Sequence, residues 1–307
     1  MKAAYITQHG GPEVLQFGDL PEPKAGPGEA LVDIVAASVN GADWKVRIGG
    51  NYAPLKFPHI LGRDFSGTVA ALGPGVTDLK LGDAVFGVCD TGQEGAYAEK
   101  IAIKSALLAK KPSSLGHAEA AALALTGLTA LVAVEDTLKL KRGETILIQG
   151  GAGGVAAFAI QLAKHIGARV ITTARTANHD YVRSLGADLI IDYTRADVVK
   201  RAGPCDAAFD TVGGEGTAQC FAVLKPGGRA AFIAGGAKAP AAPRPDLQSL
   251  RPAVGRDRPH LERIVALVQA GAVRPPEIRR YKLSDAVAAH RVSEGRHFRG
   301  KLVFEIR

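Results

Sequence analysis

An α/β chain, with a β-rich part and a doubly wound parallel sheet, follows from three features of this 307-residue sequence. Residues 144–156 pass from a short apolar stretch through four glycines into an apolar helical stretch. Downstream of Pro112, strand and helix patterns alternate, which implies a parallel sheet covered on both faces. Upstream, turn signals recur between short β-prone runs, with little helix.

Taken in order, the first third carries the turns Gly10-Gly11-Pro12, Pro21-Glu22-Pro23, Gly26-Pro27-Gly28 and Gly73-Pro74-Gly75. Between them Ala30–Ala36, Asp64–Leu72 and Ala84–Val88 read as strands. Ser113-Ser114 ahead of His117-Ala118-Glu119 marks a helix start. Strands are then expected at Thr145–Gln149, Arg169–Thr173, Leu189–Asp192, Ala207–Asp210 and Arg229–Ile233, with helices between most of them. Ala237–Pro245 reads as a loop. A helix is expected over Pro259–Ala270, ended by Gly271. Another starts at Ser284-Asp285 and runs to about Arg291, and Lys301–Ile306 alternates as a last strand, able to return to the β-rich part.

Ile146, Leu147 and Ile148 lead into Gly150-Gly151-Ala152-Gly153-Gly154, and Val155 opens the helical stretch to Ile166. Strand, glycine turn and helix in that order suit a pyrophosphate. Glycines let the backbone approach it, and the helix N-terminus offers free N–H groups and a partial positive charge. The chain is therefore expected to bind a dinucleotide. The third glycine of the usual fingerprint is Ala156 here; that position sets how closely helix and strand pack.

A hydrophobic content of 47% with 22% charged residues is that of a globular protein, and the scarcity of aromatics (6%) points to a core of small aliphatic side chains. The three cysteines form no Cys-x-x-Cys pair and no disulfide framework, which fits a reducing, cytoplasmic setting. The N-terminus enters a strand-like pattern without a signal-peptide core. The most apolar window, Ala120–Val134, contains Thr126, Gly127 and Thr129, reads as too short and broken to cross a bilayer, and gives no membrane partner. Residues 238–307 hold fifteen Lys/Arg against seven Asp/Glu, an excess equal to the whole net charge of +8. No aromatic-plus-basic motif accompanies them. A solvated surface that attracts an anionic cofactor or substrate is the reading, rather than nucleic acid.

Several segments, in this order and spacing, give the chain a resemblance over essentially its whole length. They are Val39-Asn40-Gly41-Ala42-Asp43-Trp44-Lys45, Leu61-Gly62-Arg63-Asp64-Phe65-Ser66-Gly67, Gly127-Leu128-Thr129-Ala130, the glycine cluster, Leu185-Gly186-Ala187-Asp188, Asp210-Thr211-Val212-Gly213-Gly214 and Arg299-Gly300-Lys301-Leu302-Val303. The chain resembles the medium-chain dehydrogenase/reductase superfamily, and within it the zinc-independent quinone oxidoreductases and alkenal/enone reductases. The resemblance implies a GroES-like β-rich catalytic domain, split into 1–116 and 272–307, around a Rossmann domain at 117–271. It also implies a homodimer.

Zinc-dependent members place a cysteine before the first helix and Gly-His-Glu after it. The corresponding stretches here offer Asn40 and Gly62-Arg63-Asp64, and a guanidinium does not ligate zinc. Only Cys89 lies where four cysteines would hold a structural zinc. No metal is expected, so the expected reaction is hydride delivery from a nicotinamide to a quinone or a conjugated enone, acceptors already electrophilic through conjugation.

The second strand of the dinucleotide unit is followed by Ala174-Arg175-Thr176, with no carboxylate before Asp180. Arg175 and Thr173 suit a 2′-phosphate, and Tyr193 resembles a family residue that reaches it, so NADPH (NADP) is expected over NADH. By resemblance, Thr129 lies near the nicotinamide ribose, Val212-Gly213 and Ile233-Ala234 line the cofactor at later strand ends, and Arg299, Gly300 and Lys301 close over the nicotinamide. Asn40 is expected either to donate to the substrate oxygen or to cap the next helix. Lys45 is expected at a cofactor phosphate or the substrate carbonyl, or simply in solvent. By resemblance, Tyr52 is expected to polarise the carbonyl, to relay a proton or only to wall the pocket. An enoyl-thioester reductase and a catalytically silent NADPH-binding sensor remain as alternatives.

Overall fold

Alternation after Pro112 builds one six-stranded sheet. From edge to edge its strands are Leu189–Ile191, Arg169–Thr173, Thr145–Ile148, Cys205–Asp210, Leu224–Phe232 and Gln248–Leu250, all parallel. In chain order this is third, second, first, fourth, fifth, sixth, the doubly wound order that opens a crevice where the direction of winding reverses. The computed structural model describes residues 1–50 and 54–307.

Burial on both faces explains the apolar runs. Ile146, Leu147, Ile148, Val170, Ile171, Ala207, Ala208 and Phe209 are fully buried. The helix Gly154–Ile166 turns Ala156, Ala157, Ala159 and Ala163 inward. Side chains of that size let a helix axis lie close to the sheet. Gly167 ends the helix in the left-handed conformation at φ 92°, where its N–H bonds Lys164 O at 2.9 Å.

The β-rich part holds two sheets. One is Leu15–Asp19, Lys2–Ile6 and His59–Ile60. The other runs Ile278–Lys282, Lys301–Glu305, Glu29–Val39, Asp64–Leu72, Ala84–Val88, Leu108–Lys110, with Lys100–Lys104 also on Glu29–Val39. The returning C-terminal strand thus pairs antiparallel with Glu29–Val39, Leu302 opposite Val39. Inside this part Arg47 is fully buried, donating to Gly10 O and paired with Glu294. It lies 3.0 Å from His290 Nδ1, and burial plus this guanidinium push His290 down to about 3, so the histidine stays neutral.

The chain divides into one unit of 1–125, 256–269 and 275–307 and a second of 126–255 and 270–274. These limits differ from the expected 1–116, 117–271 and 272–307 for identifiable reasons. Ala118, Ala121 and Ala122 pack on Ala36 and Val303 of the seven-stranded sheet. Arg258, opening the helix Arg258–Gln269, donates to Leu108 O at 2.6 Å and Ser105 O at 2.5 Å.

The apolar window near residue 127 also departs from expectation. Gly127 and the threonines do not break it: the helix His117–Leu131 continues through a π-helical turn, Val132–Thr137. The resulting 21-residue stretch has the length and hydropathy to cross a membrane, but 78% of its apolar window is buried inside the protein, as in a core helix. Several strands escaped the sequence reading, two of them for visible reasons. Ile278–Lys282 is an edge strand reading IRRYK, and its exposed arginines mask the alternation. Gln248–Leu250 is only three residues long.

Candidate active site

The first group of functional residues lies in the second unit, at the carboxyl end of Thr145–Ile148. Gly150 adopts φ +76°, and a Cβ there would lie 2.8 Å from Val212 Cγ2. A Cβ on Gly151 would overlap Thr172 Oγ1. Only glycine fits either place, because the turn is pulled against neighbouring strand ends. Gly150 N donates to Thr173 Oγ1 at 3.0 Å and Gly151 N to Thr173 O at 2.9 Å. Gly153 N bonds back to Gly150 O at 2.9 Å. Ala152 completes this turn, and Gly153 precedes the helix without a capping side chain. Helix geometry leaves the first-turn N–H groups of Gly154, Val155 and Ala156 without intrahelical acceptors, the arrangement that suits an anion.

Thr173 does not serve a 2′-phosphate. Its hydroxyl donates to Gln149 Oε1 at 2.7 Å, accepts from Gly150 N, and is buried. With its one proton committed, it fixes the turn instead. Gln149 extends the knot, donating to Gln219 Oε1 at 2.9 Å, while Thr211 Oγ1 donates to Gln149 O at 2.7 Å. Sequence reasoning missed Gln149, because a polar residue at a strand end carries no distinctive pattern.

Two buried or stapled carboxylates shape the neighbouring turns. Asp210 accepts from Val212 N at 2.9 Å, Gly213 N at 2.8 Å and Thr217 Oγ1 at 2.7 Å. Ile233 N reaches Asp210 O at 3.1 Å, and Ala234 Cβ lies 3.2 Å from where a Gly213 Cβ would stand. Val212, Gly213, Ile233 and Ala234 thus gather beside the glycine turn, Val212 half-exposed. Asp192 accepts from Thr176 N at 2.8 Å, Thr194 N at 2.9 Å, Thr194 Oγ1 at 2.7 Å and Thr176 Oγ1. Those bonds, Thr176 hydroxyl foremost, hold its carboxyl well below the usual range. Between the stapled turns Arg175 Nε donates to Tyr193 OH at 3.1 Å, both residues exposed. Thr129 is buried on its helix.

The second group lies in the first unit, around Asn40. The side-chain amide is oriented by chemistry: Lys301 Nζ can only donate, so its 2.7 Å partner is Oδ1, and the amide nitrogen gives Nδ2–H to Asp64 Oδ1 at 2.7 Å. The other N–H meets Ser38 O only at 3.4 Å, a weak bond. Asp64 also accepts from Ser38 Oγ at 2.8 Å and Leu125 N at 3.2 Å, and Lys301 also donates to Val39 O at 2.8 Å. Burial pushes Asp64 up and Lys301 down, while the opposite charge and hydrogen bonds support each ion. Lys301 is buried, and its ammonium holds Asn40.

Asn40 occupies the position before the helix Gly41–Arg47, but the cap is made otherwise. Asp43 Oδ2 accepts Asn40 N at 2.8 Å, and Asp43 N donates to Asn40 O at 3.0 Å. Asp43 Oδ2 also takes the Tyr97 hydroxyl at 2.7 Å, and burial pushes the carboxyl up to about 7. Arg63 Nε lies 3.7 Å from Asp43 Oδ1 and donates to Glu94 at 2.9 Å, with His59 Nε2 2.7 Å from the same carboxylate. Lys45 Nζ stands 5.7 Å from the Trp44 ring centroid. Arg299 pairs with Glu277 at 2.6 Å. Gly300, at φ +75°, lets Lys301 N reach Glu277 O at 2.8 Å, so both residues close a local turn. Tyr52 lies outside the described residues.

Zinc does not fit this group. Its centre is occupied by a buried ammonium and flanked by a guanidinium, and burial holds the Cys89 thiol protonated. Among the described residues no three His, Cys, Asp or Glu gather as ligands.

Residues 26–113 match the family model of the alcohol dehydrogenase GroES-like domain, and 185–304 match that of the zinc-binding dehydrogenases. A 2-methylene-furan-3-one reductase of Solanum lycopersicum is 37% identical over 78% of this chain, which spans only 64% of that protein. A chloroplastic NADPH-dependent alkenal/one oxidoreductase of Arabidopsis thaliana is 34% identical, over 90% of this chain and 71% of its own. The solved quinone oxidoreductase of Coxiella burnetii superposes with a TM-score of 0.92 at 35% identity, covering 100% of this chain and 99% of its own. With the doubly wound sheet, the glycine turn and a centre built on Asn40 and Lys301, the chain belongs to the medium-chain dehydrogenase/reductase superfamily, in its zinc-independent type.

Proposed function

We propose that this chain is an NADPH-dependent reductase that delivers hydride to quinones or α,β-unsaturated carbonyls without a metal. The observation that supports it most is the glycine turn ending in open helix N–H groups, with Arg175 and Tyr193 paired at the adjoining strand ends. The nicotinamide supplies the hydride when bound. The turn holds the pyrophosphate through backbone N–H groups, and the Arg175 guanidinium, with no bond beyond Tyr193 among the described residues, takes the 2′-phosphate.

On the substrate side, oxygen gains negative charge as hydride arrives. Asn40 has one N–H held only weakly by Ser38 O, and Lys301 donates into the same amide at Oδ1. That cation polarises the amide and strengthens its weakly held N–H as a donor, which stabilises an enolate or hydroquinone anion. The names of the tomato, Arabidopsis and Coxiella proteins support this acceptor class. Three buried free thiols suit a cytoplasmic protein, family resemblance supports a homodimer, and the partner is a small electron acceptor rather than a membrane or nucleic acid.

Stopped-flow oxidation of NADPH against small enones and quinones tests the reading. Turnover with at least one class is expected, faster with NADPH than with NADH. Bound NADPH without turnover across the panel leaves a cofactor-binding sensor instead.

A further inference from the structure

We propose that Asp192 is a specificity-positioning residue: its carboxylate staples two turns together so that Arg175 and Tyr193 form one preassembled receptor for a 2′-phosphate. The inference rests on the NADPH reading above. Arg175 leaves the strand Arg169–Thr173, and Tyr193 leaves Leu189–Ile191, a different strand. Past Thr173 the sheet adds one bond, Ala174 N to Ile191 O at 3.1 Å. Beyond it Asp192 joins the two turns, taking the backbone N–H and hydroxyl of Thr176 and of Thr194. Each stapled threonine is next to a clamp residue: Thr176 follows Arg175, and Tyr193 lies between Asp192 and Thr194.

Position and charge act together. An acidic residue near this corner would ordinarily accept a ribose 2′-hydroxyl and repel a phosphate, favouring NADH. Here both carboxylate oxygens are engaged by four donors, so the lone pairs a hydroxyl needs are already committed. The Arg175–Tyr193 bond of 3.1 Å then uses only Nε, leaving the guanidinium Nη edge for the ligand. Ordering two exposed side chains before binding removes that cost from the binding step.

Calorimetric titration of the full chain with 2′,5′-ADP and with 5′-AMP reads this without any acceptor or turnover. The wild type is expected to prefer 2′,5′-ADP. Asp192→Ala is expected to weaken 2′,5′-ADP by about tenfold, with 5′-AMP unchanged, as the preassembly is lost. Asp192→Asn, which keeps an acceptor oxygen, is expected to fall between. Thr176→Val, which removes one donor and leaves the staple's other arms, gives a smaller loss of the same selectivity and serves if the alanine variant does not fold. A parallel loss of both ligands, or no loss in either, overturns the staple. A wild type that binds neither, or both equally, overturns the NADPH reading itself.

Discussion

The glycine turn and the Asn40 centre, on which the proposed hydride transfer rests, are built by opposite means. At the turn, neutral backbone N–H groups at the start of Gly154–Ile166 face outward, and the supporting side chains Gln149, Thr173 and Thr211 are uncharged. At Asn40, ionisable groups are buried: Lys301 and Asp64 flank one amide, with Asp43 and Arg63 behind it. A neutral turn tolerates the loss of one side-chain partner, since each bond contributes about 0.5–1.5 kcal/mol. A buried ion pair does not, because removing one partner strands the other.

That asymmetry is sharpest in Lys301→Met. It leaves Asp64 without its counter-charge in a fully buried place, and about 3–5 kcal/mol of stability is expected to go. Chemical denaturation measures the loss. The double variant Lys301→Met with Asp64→Asn, which removes both charges, is expected to recover a large part of it. If the single variant is as stable as wild type, the buried pair is not held as described.

A perturbation at the nucleotide end is expected to be smaller and confined to binding. Arg175→Ala removes charge-assisted bonds to a phosphate, worth about 1.5–3 kcal/mol, so the NADPH-over-NADH ratio in kcat/KM is expected to drop roughly tenfold or more with little change in stability. An unchanged ratio removes Arg175 from the 2′-phosphate site.

Asp43 gives an effect visible in the pH dependence of stability. Its carboxyl is raised from an ordinary 3.8 to about 7 by burial, so the folded protein retains a proton that the unfolded chain has lost. The stability this contributes is complete below about pH 4 and drains away as pH rises to about 7. Asp43→Asn does not titrate. The stability gap between wild type and this variant is therefore expected to shrink with rising pH across that window, by at most about 1.4 kcal/mol per pH unit. A gap that is flat or widens with pH contradicts the buried, protonated carboxyl.

The same contrast explains what the sequence could disclose. The glycine turn is contiguous, its residue types are dictated by steric contact, and its strand–turn–helix context is local; Gly150 to Val155 were legible for that reason. The doubly wound order followed from alternation. Lys301 and Asn40 are 261 residues apart, and nothing in a terminal Gly-Lys-Leu-Val segment signals that the lysine turns into the sheet interior. Resemblance alone placed it near the nicotinamide. Thr173 was misread because a threonine at a strand end serves a phosphate or its own turn equally well, until Gln149 is seen beside it. Asp192 gave no warning either, since its four donors come from two turns that meet only in the fold.

The measurement that bears most directly on the account is single-turnover oxidation of bound NADPH by a reactive enone or quinone, in protein washed with a chelator and shown by elemental analysis to be free of zinc. The account predicts full hydride transfer, unchanged on adding zinc. Transfer that vanishes with the chelator and returns with zinc would contradict it, because an ammonium held between Asn40 and Val39 would then not be the cation this centre uses.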